Sequence, residues 1–295
     1  MTFISDAAVG HLRRLVEWPD FSETRYEILG TIGRGGMGTV FRARDRELDR
    51  EVAIKVAAWS GGSGADRVNR EARVLAALEH PGIVPIHDSG RLADGRAYYV
   101  MMLVRGERLH DRVKDLALPD RLRIFDRICD IVAFVHARGI IHRDLKPSNV
   151  MVGAFGDVLV LDWGLATRAD AGDRGAAGTE GYMAPEQAQG RADARSDVYS
   201  LGVVLKDLIS STTTRAARPL GSIVRRATAA RPEDRYRTVA ELAADVRRFV
   251  DGSRVTAHDE STIERTGRLL RTYRTPLALV LAYLAMRILL LAWLR

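Results

Sequence analysis

Hydrophobic and polar positions change rhythm twice along this chain. A short amphipathic stretch with Leu12, Leu15 and Val16 ends near Trp18-Pro19 and predicts a helix or arm packed on whatever follows. From Tyr26 the apolar residues come in short runs: Tyr26–Leu29, Val40–Ala43, Val52–Lys55, Ile83–Ile86 and Ala97–Val104. Runs of this length, set among glycines, prolines and charged residues, predict β-strands. One helical interval, Asp66–Leu78, interrupts them, with Val74, Leu75 and Leu78 on its apolar face. Beyond Gly106 the rhythm lengthens. Arg121–Arg138 carries apolar residues at 124, 125, 128, 131, 132 and 135, a face of 3.6-residue period, and Val239–Val250 predicts another helix.

The last stretch is different again. Residues 251–262 are polar, and Arg265, Arg268, Arg271 and Arg274 form a basic run before Pro276. From Leu277 to Leu294 the chain is apolar except at Arg287. At ~1.5 Å per residue this run spans roughly 27 Å, close to the ~30 Å thickness of a bilayer's hydrocarbon. Its Leu, Ile and Val residues contribute roughly −3 to −6 kcal/mol to insertion, against at most about +3.5 kcal/mol for Arg287. We therefore expect a transmembrane helix over 276–294, preceded by a basic juxtamembrane linker over 251–275. Arg287 is expected to snorkel toward the C-terminal face or to meet a second helix, which leaves dimerisation open. An amphipathic helix packed on the domain or lying in the interface is the alternative. The basic run before the helix places the body of the chain in the cytoplasm, on the inner face of the cytoplasmic membrane. With only Arg295 after the run, no extracytoplasmic domain is expected.

Several short motifs carry chemistry. Gly33-Arg34-Gly35-Gly36-Met37-Gly38-Thr39-Val40 has G-x-G-x-x-G spacing, which by itself is weak. Because Val40-Phe41-Arg42-Ala43 continues as strand, the glycines suit a hairpin tip better than the strand–turn–helix of a dinucleotide fold. In Val52-Ala53-Ile54-Lys55 a lysine faces inward from an apolar strand, which is costly unless it is paired. Glu71, in the helical interval, is the candidate partner; a solvated helix glutamate is the alternative reading. Further on come His142-Arg143-Asp144-Leu145-Lys146-Pro147-Ser148-Asn149, Leu161-Asp162-Trp163-Gly164 after the strand Val158–Val160, and Gly178-Thr179-Glu180-Gly181-Tyr182-Met183-Ala184-Pro185-Glu186. Asp197-Val198-Tyr199-Ser200-Leu201-Gly202 and Arg231-Pro232-Glu233-Asp234-Arg235-Tyr236 complete the series.

Together and in this order, these motifs resemble those of bacterial Hanks-type (eukaryotic-like) serine/threonine protein kinases over roughly residues 26–250. The resemblance implies an α+β, bilobal protein kinase fold, with a β-rich N-lobe over 26–104, a helical C-lobe over 105–250 and residues 1–25 as an N-terminal extension. It implies an ATP site of Ile32, Gly33, Arg34, Gly35, Gly36, Met37, Gly38, Thr39, Val40, Ala53, Lys55 and Glu71. Met101 would back the adenine pocket, and Met102 and Val104 would supply hinge backbone. Asp144 would accept the substrate's proton, Lys146 would neutralise charge on the moving phosphoryl group, and Asn149 and Asp162 would hold Mg2+ (or Mn2+). Arg143, Thr179, Glu186, Asp197 and Arg235 would brace the catalytic loop and activation segment, with Thr179 bridging Asp144 and Lys146. Asp144-x-Lys146-x-x-Asn149 with Thr179 is the serine/threonine pattern. The implied activity is transfer of the γ-phosphoryl group of ATP to Ser or Thr of protein substrates, autophosphorylation included.

Three departures from the family pattern stand out. Trp163 fills a slot that usually holds phenylalanine and is expected to hinder an outward flip of Asp162. Residues 168–178 contain no Ser, Thr or Tyr, so the usual acceptor of an activating phosphate beside Arg143 is missing. We expect a loop that is constitutively ordered or held by Asp170 or Asp173 near Arg143. The stretch from Leu208 to Leu220 is short where relatives carry a docking region. Two rival readings are a membrane-bound, nucleotide-binding pseudokinase scaffold and a small-molecule kinase of related fold.

Composition changes the picture only at the margins. The formal charge is +7, yet lysine occurs only at 55, 114, 146 and 206, two of them inside the motifs. Where arginine does the generic work, a retained lysine points to a need for a compact ammonium. No zinc-finger spacing or aromatic RNA-binding box accompanies the charge, so no nucleic-acid partner is expected. Cys129, the only cysteine, reads as a small core residue, and no secretory signal opens the sequence.

Overall fold

The computed structural model describes residues 18–35, 38–58, 62–169, 175–210 and 218–260, and, near the C-terminus, 265–266, 279–280, 282–287 and 293. Strand β3 (Arg50–Ala57) sets the logic of the first lobe. Successive strand side chains point to opposite faces. Val52, Ile54 and Val56 accordingly enter one apolar cluster, while Ala53 and Lys55 face the other way, into a cleft. β1 (Tyr26–Gly35), β2 (Gly38–Asp45), β4 (Ile86–Arg91) and β5 (Ala97–Met102) join β3 in an antiparallel sheet of order β1-β2-β3-β5-β4. Both faces are covered. Phe21 packs edge-on to Tyr98 at 5.0 Å and Trp18 to Phe41 at 6.5 Å, so the segment before β1 caps the outer face. Helix α1 (Gly62–Ala76) lies on the inner face through Ala65, Val68, Ala72 and Leu75.

The glycine-rich motif is a β-hairpin, with Gly33 opposite Val40, Arg34 opposite Thr39 and Gly35 opposite Gly38. Gly38 has φ +156°, and a Cβ there would lie 2.1 Å from the Val56 carbonyl oxygen, so only glycine lets β2 approach β3 at this point. One expected strand does not form as predicted. Ile83 makes only an isolated bridge to Val160, and the strand begins at Ile86. Pro85 lacks the N–H that a paired strand needs and delays the start.

The second lobe is built on α3 (Leu118–Ala137), which buries Leu122, Phe125, Ile128, Cys129, Val132 and Val135. It follows a two-residue strand, β6 (Glu107–Arg108), and the short helix α2 (Leu109–Arg112). Small strands β7 (Ile140–Ile141), β8 (Val150–Val152), β9 (Val158–Val160) and β10 (Thr167–Arg168) frame the catalytic and activation loops, β6-β8-β9 forming one sheet and β10-β7 another. Helix α4 (Ala194–Ile209) starts with a capping box between Asp193 and Ser196. It meets α5 (Arg218–Ala227) where Gly202 leaves room for Ala227: a Cβ at 202 would come within 2.7 Å of that methyl. Helix α6 (Val239–Val250), capped by Thr238, lies on α3 and is tied to it by Arg247, paired with Asp126 at 2.7 Å and Asp130 at 2.6 Å.

The chain continues to pack after α6, although its polar sequence reads as linker. Val255 is buried, and the fully buried carboxylate of Asp245 accepts from the Thr256 N–H (2.9 Å), the Thr256 hydroxyl (2.6 Å) and the Ala257 N–H (3.0 Å). Tyr236 Oη and Arg248 add donors at 2.9 and 2.8 Å. Burial alone would raise the Asp245 pKa, but these bonds outweigh it and hold the carboxyl below its ordinary value.

Among the described residues no helix is long and apolar enough to cross a membrane. Most of 276–294 lies outside them, as do Leu12, Leu15, Val16, Gly36, Met37, Asp170, Asp173, residues 211–217 and the basic positions 268, 271 and 274.

Candidate active site between the two lobes

A cleft of about 670 Å³ separates the lobes, within the range of ligand-sized pockets. Its roof is the glycine hairpin, with Ile32, Gly33, Arg34, Gly35, Gly38 and Val40 along it; Thr39 is in the hairpin but does not line the cleft. Ala53 and Lys55 come from β3, and Met101, Met102, Leu103 and Val104 form the connection at the back. The Met102 N–H donates to Pro85 O at 3.2 Å, which fixes the end of β5. Asp144, Asn149, Met151 and Asp162 close the floor.

Lys55 and Glu71 meet as the sequence suggested. The Lys55 ammonium lies 2.8 and 2.7 Å from the two Glu71 oxygens and 3.4 Å from Asp162. Burial pulls the Lys55 pKa down, but the two carboxylates outweigh it and raise the pKa above its usual value. Glu71 is itself buried, and burial pushes its carboxyl up against the pull of Lys55. The pair joins β3 to α1 and fixes the lysine toward the cleft.

The catalytic loop is organised from below by Asp197. This fully buried carboxylate of α4 accepts from His142 N–H, Arg143 N–H and His136 Nε2, each at 2.8 Å. Burial would raise its pKa; these bonds and the nearby histidines outweigh it and lower it. The clamp holds Arg143 at φ +70°, a left-handed conformation that costs a non-glycine residue about 1–3 kcal/mol. His142 accepts from Asp144 N–H at Nδ1 (3.2 Å), so Nε2 carries the proton and donates to Leu161 O (3.2 Å). Burial lowers its pKa and keeps it neutral.

Asp144 is held on every side. Thr179 Oγ1 donates to Oδ1 at 2.6 Å, Lys146 Nζ to Oδ2 at 2.8 Å and Asn149 Nδ2 to Oδ2 at 3.0 Å. Lys146 also reaches Thr179 Oγ1 at 2.5 Å. With its amide nitrogen committed to Asp144, Asn149 retains Oδ1 as an acceptor, and Asp162 presents a half-exposed carboxylate across the cleft. These are hard oxygen donors, which fit a hard divalent cation. Asp162 also sits at positive φ, +61°. Next to it Trp163 is turned inward and buried, packed against the His142 ring at 4.5 Å with its indole N–H on Val160 O at 3.0 Å. Phenylalanine has no such donor. Trp163→Phe is therefore expected to favour the outward turn, strengthening up to roughly tenfold the binding of an inhibitor that requires it. Calorimetry on both proteins checks this, and equal affinities would remove the lock.

Below the site, Glu186 and Arg235 pair at 2.7 Å through both oxygens, and Ser196 donates to the same carboxylate at 2.7 Å. Arg143 reaches the activation segment by donating to Gly175 O at 2.6 Å, a backbone hold in a stretch that lacks a hydroxyl acceptor. Beside it is a second hollow of about 660 Å³, lined by Arg67, Arg70 and Arg73 of α1 together with Arg143 and Arg168.

Sequence reasoning did not mark Tyr99, Arg108, Met151 or Leu165, all of which line the cleft. Tyr99 had a readable signal, since it lies an even number of residues from Ala97 and Met101 on the inner face of β5. Arg108, which donates to Ser148 O, had none.

The family profile described as protein kinase domain matches residues 26–253, well over half of the chain. The chain is 36% identical to the serine/threonine-protein kinase PknB of Mycobacterium tuberculosis over 79% of its own length and 44% of that protein's. It is 32% identical to the serine/threonine-protein kinase PknD of Chlamydia caviae, over 78% of this chain and 31% of the relative. It is 36% identical to the probable serine/threonine-protein kinase CE0033 of Corynebacterium efficiens, over 75% and 41%. The chain thus spans less than half the length of these relatives. With the Lys55–Glu71 pair, the bridged Asp144 and the facing Asp162 in one cleft, it belongs to the protein kinase family, in the branch of bacterial Hanks-type serine/threonine kinases.

Proposed function

We propose that this chain is an ATP-dependent serine/threonine protein kinase that transfers the γ-phosphoryl group to Ser or Thr hydroxyls of proteins, its own among them. The observation that carries the reading is the Asp144 carboxylate, bridged by Thr179 and Lys146 at the mouth of a cleft whose opposite wall holds Lys55. Such transfer asks mainly for alignment and charge neutralisation. The hairpin amides cover the phosphates, and Lys55, fixed by Glu71, holds the non-transferred ones. Asp144 orients the acceptor hydroxyl and takes its proton as the new O–P bond forms and the β–γ bridge breaks, releasing ADP. Lys146 offsets charge on the moving group, and Thr179 keeps lysine and aspartate in register. Asn149 and Asp162 would hold Mg2+ or Mn2+, which would supply charge neutralisation on the phosphates.

The test is the full chain in detergent with γ-labelled ATP and a mixed protein substrate. Label on Ser and Thr supports the reading; bound ATP with no transfer supports the scaffold reading.

The same proposal places the kinase on the inner face of the cytoplasmic membrane, held by the apolar run 276–294. The length and insertion energy of that run support this. So does the exposure of Leu279, Val280, Tyr283, Leu284 and Met286 in its described part. The full chain is expected to stay in the membrane pellet through alkaline carbonate extraction. Release to the supernatant would leave an interfacial or packed helix instead.

A further inference from the structure

Three segments distant in sequence bring five arginines to one hollow beside the inter-lobe cleft. Arg67, Arg70 and Arg73 come from α1, Arg143 from the catalytic loop and Arg168 from β10. No aspartate or glutamate is among the described residues that line it, and its other walls are small or apolar except for Thr167. Arg67 and Leu165 line both this hollow and the cleft, so the two adjoin.

An arginine-rich helix face is ordinarily a solvated one, and Arg67, Arg70 and Arg73 are exposed. Two observations set this face apart. Among the described residues, the side chains of these three arginines make no hydrogen bond or ion pair, whereas the exposed Arg42, Arg44 and Arg105 each pair with a carboxylate. The surface across from them presents two more cations, Arg143, only 5% exposed, and Arg168. Walls of one sign repel each other and focus positive potential into the space between them. An anion placed there relieves the repulsion. Guanidinium groups grip phosphate oxygens two at a time, and a hollow of about 660 Å³ is ligand-sized. The adjoining stretch 168–178 has no hydroxyl on which a phosphate could be carried covalently.

We propose that this hollow binds a small, multiply charged phosphate anion, free or borne on a lipid headgroup, which ties α1 to the catalytic loop. Since α1 carries Glu71 and the loop carries Asp144, the bound anion fixes the two sides of the cleft relative to each other. The site itself does not rest on the kinase reading; its effect on phosphoryl transfer does.

The test is a calorimetric titration of the full chain in detergent with pyrophosphate, without free Mg2+ and with the cleft filled by a saturating non-hydrolysable ATP analogue. One-site binding is expected, weakening as ionic strength rises. The double substitution Arg70→Gln and Arg73→Gln, at exposed positions outside the cleft, is expected to lower the affinity at least about tenfold, the scale of losing hydrogen bonds to a charged group. Arg237→Gln with Arg254→Gln removes the same charge from exposed positions that line neither hollow nor cleft. That control is expected to change the affinity by less than about twofold, such charges being screened. Micelles containing phosphatidic acid that displace pyrophosphate identify a lipid headgroup as the source; micelles that fail to do so identify a soluble anion. With Mg2+ in excess, pyrophosphate is expected to raise the transfer rate several-fold in the parent and not in the variant at 70 and 73. The site is overturned by absence of binding, by equal losses in the two double variants, or by a stoichiometric phosphate already carried on Thr167. Binding with an unchanged transfer rate overturns the tie between α1 and the loop. A parent that binds pyrophosphate but transfers nothing sinks the kinase reading and leaves the site standing.

Discussion

Asp144→Asn is expected to lower the rate of phosphoryl transfer about a thousandfold, within the range ascribed to a general base, while leaving ATP affinity within about twofold. Asparagine keeps the size of the side chain and an oxygen that can still accept from Thr179. What it loses is the second acceptor oxygen, now shared by Lys146 at 2.8 Å and Asn149 at 3.0 Å. An amide there can neither take the substrate's proton nor balance the Lys146 ammonium. On the proposed reading binding should survive, because Asp144 would face the acceptor while Lys55 and the hairpin would face the phosphates. Single-turnover transfer and an ATP titration on both proteins separate these effects. Retention of more than a tenth of the rate would remove Asp144 from the proton's path.

Arg235→Met is expected to cost about 3–5 kcal/mol of stability, the scale of leaving one member of a buried pair alone. That corresponds to a fall of roughly 10 °C or more in Tm for a domain of this size. The Arg235 side chain is fully buried and makes two bonds to Glu186, at 2.7 Å each. It also donates to the carbonyls of Ala229, Ala230 and Arg195 and stacks over Tyr199 at 5.0 Å. Methionine fills much of the volume but leaves those acceptors and a buried carboxylate without their donor. Replacing Glu186 by leucine as well removes the orphan charge and should recover part of the loss. The pH dependence follows from Glu186: burial would raise its carboxyl, but the bonds from Arg235 and Ser196 outweigh it and hold the pKa below 4.5. A depressed folded pKa contributes stability that is fully present above the unfolded value and is lost as pH falls through the folded one. The gap in Tm between parent and variant should therefore be widest near neutrality and narrow below about pH 4.5. A constant gap down to pH 3 would place the loss in packing.

Both tests concern residues legible from sequence, and the reason they were legible is local. Asp144, Lys146 and Asn149 sit within six residues whose spacing is dictated by one turn of backbone. Lys55 was readable because it ends Val52-Ala53-Ile54-Lys55, an apolar run in which an inward-facing lysine is costly unless paired. Its pairing with Glu71 was less secure, as it required α1 to lie over the sheet. The strand expected at Ile83 failed because apolar periodicity does not register the missing donor of Pro85. The even spacing of Tyr99 from Ala97 and Met101 was readable within β5, but its place opposite Lys55 depends on the register between β3 and β5, which no single segment encodes. Residues 251–257 read as linker for a similar reason: their partner, Asp245, is a charged residue on a helix, and charge on a helix ordinarily signals solvent. The fold buries it instead and answers it with backbone donors from further along the chain.

That burial moves the natural end of the folded unit. The last helix stops at Val250, but the hydrogen-bonded structure runs on to Ala257, with Ser222 near His258 at 3.2 Å. Asp245 acts as a mooring post, and the chain leaves the lobe at a point fixed beside α5 and α6. A pull on whatever follows would load the Thr256 and Ala257 bonds first, then α6, and through Arg247 the central helix α3. The tail's attachment is in this sense part of the kinase lobe, and a cut made at the end of α6 would strip a buried carboxylate of three of its five donors.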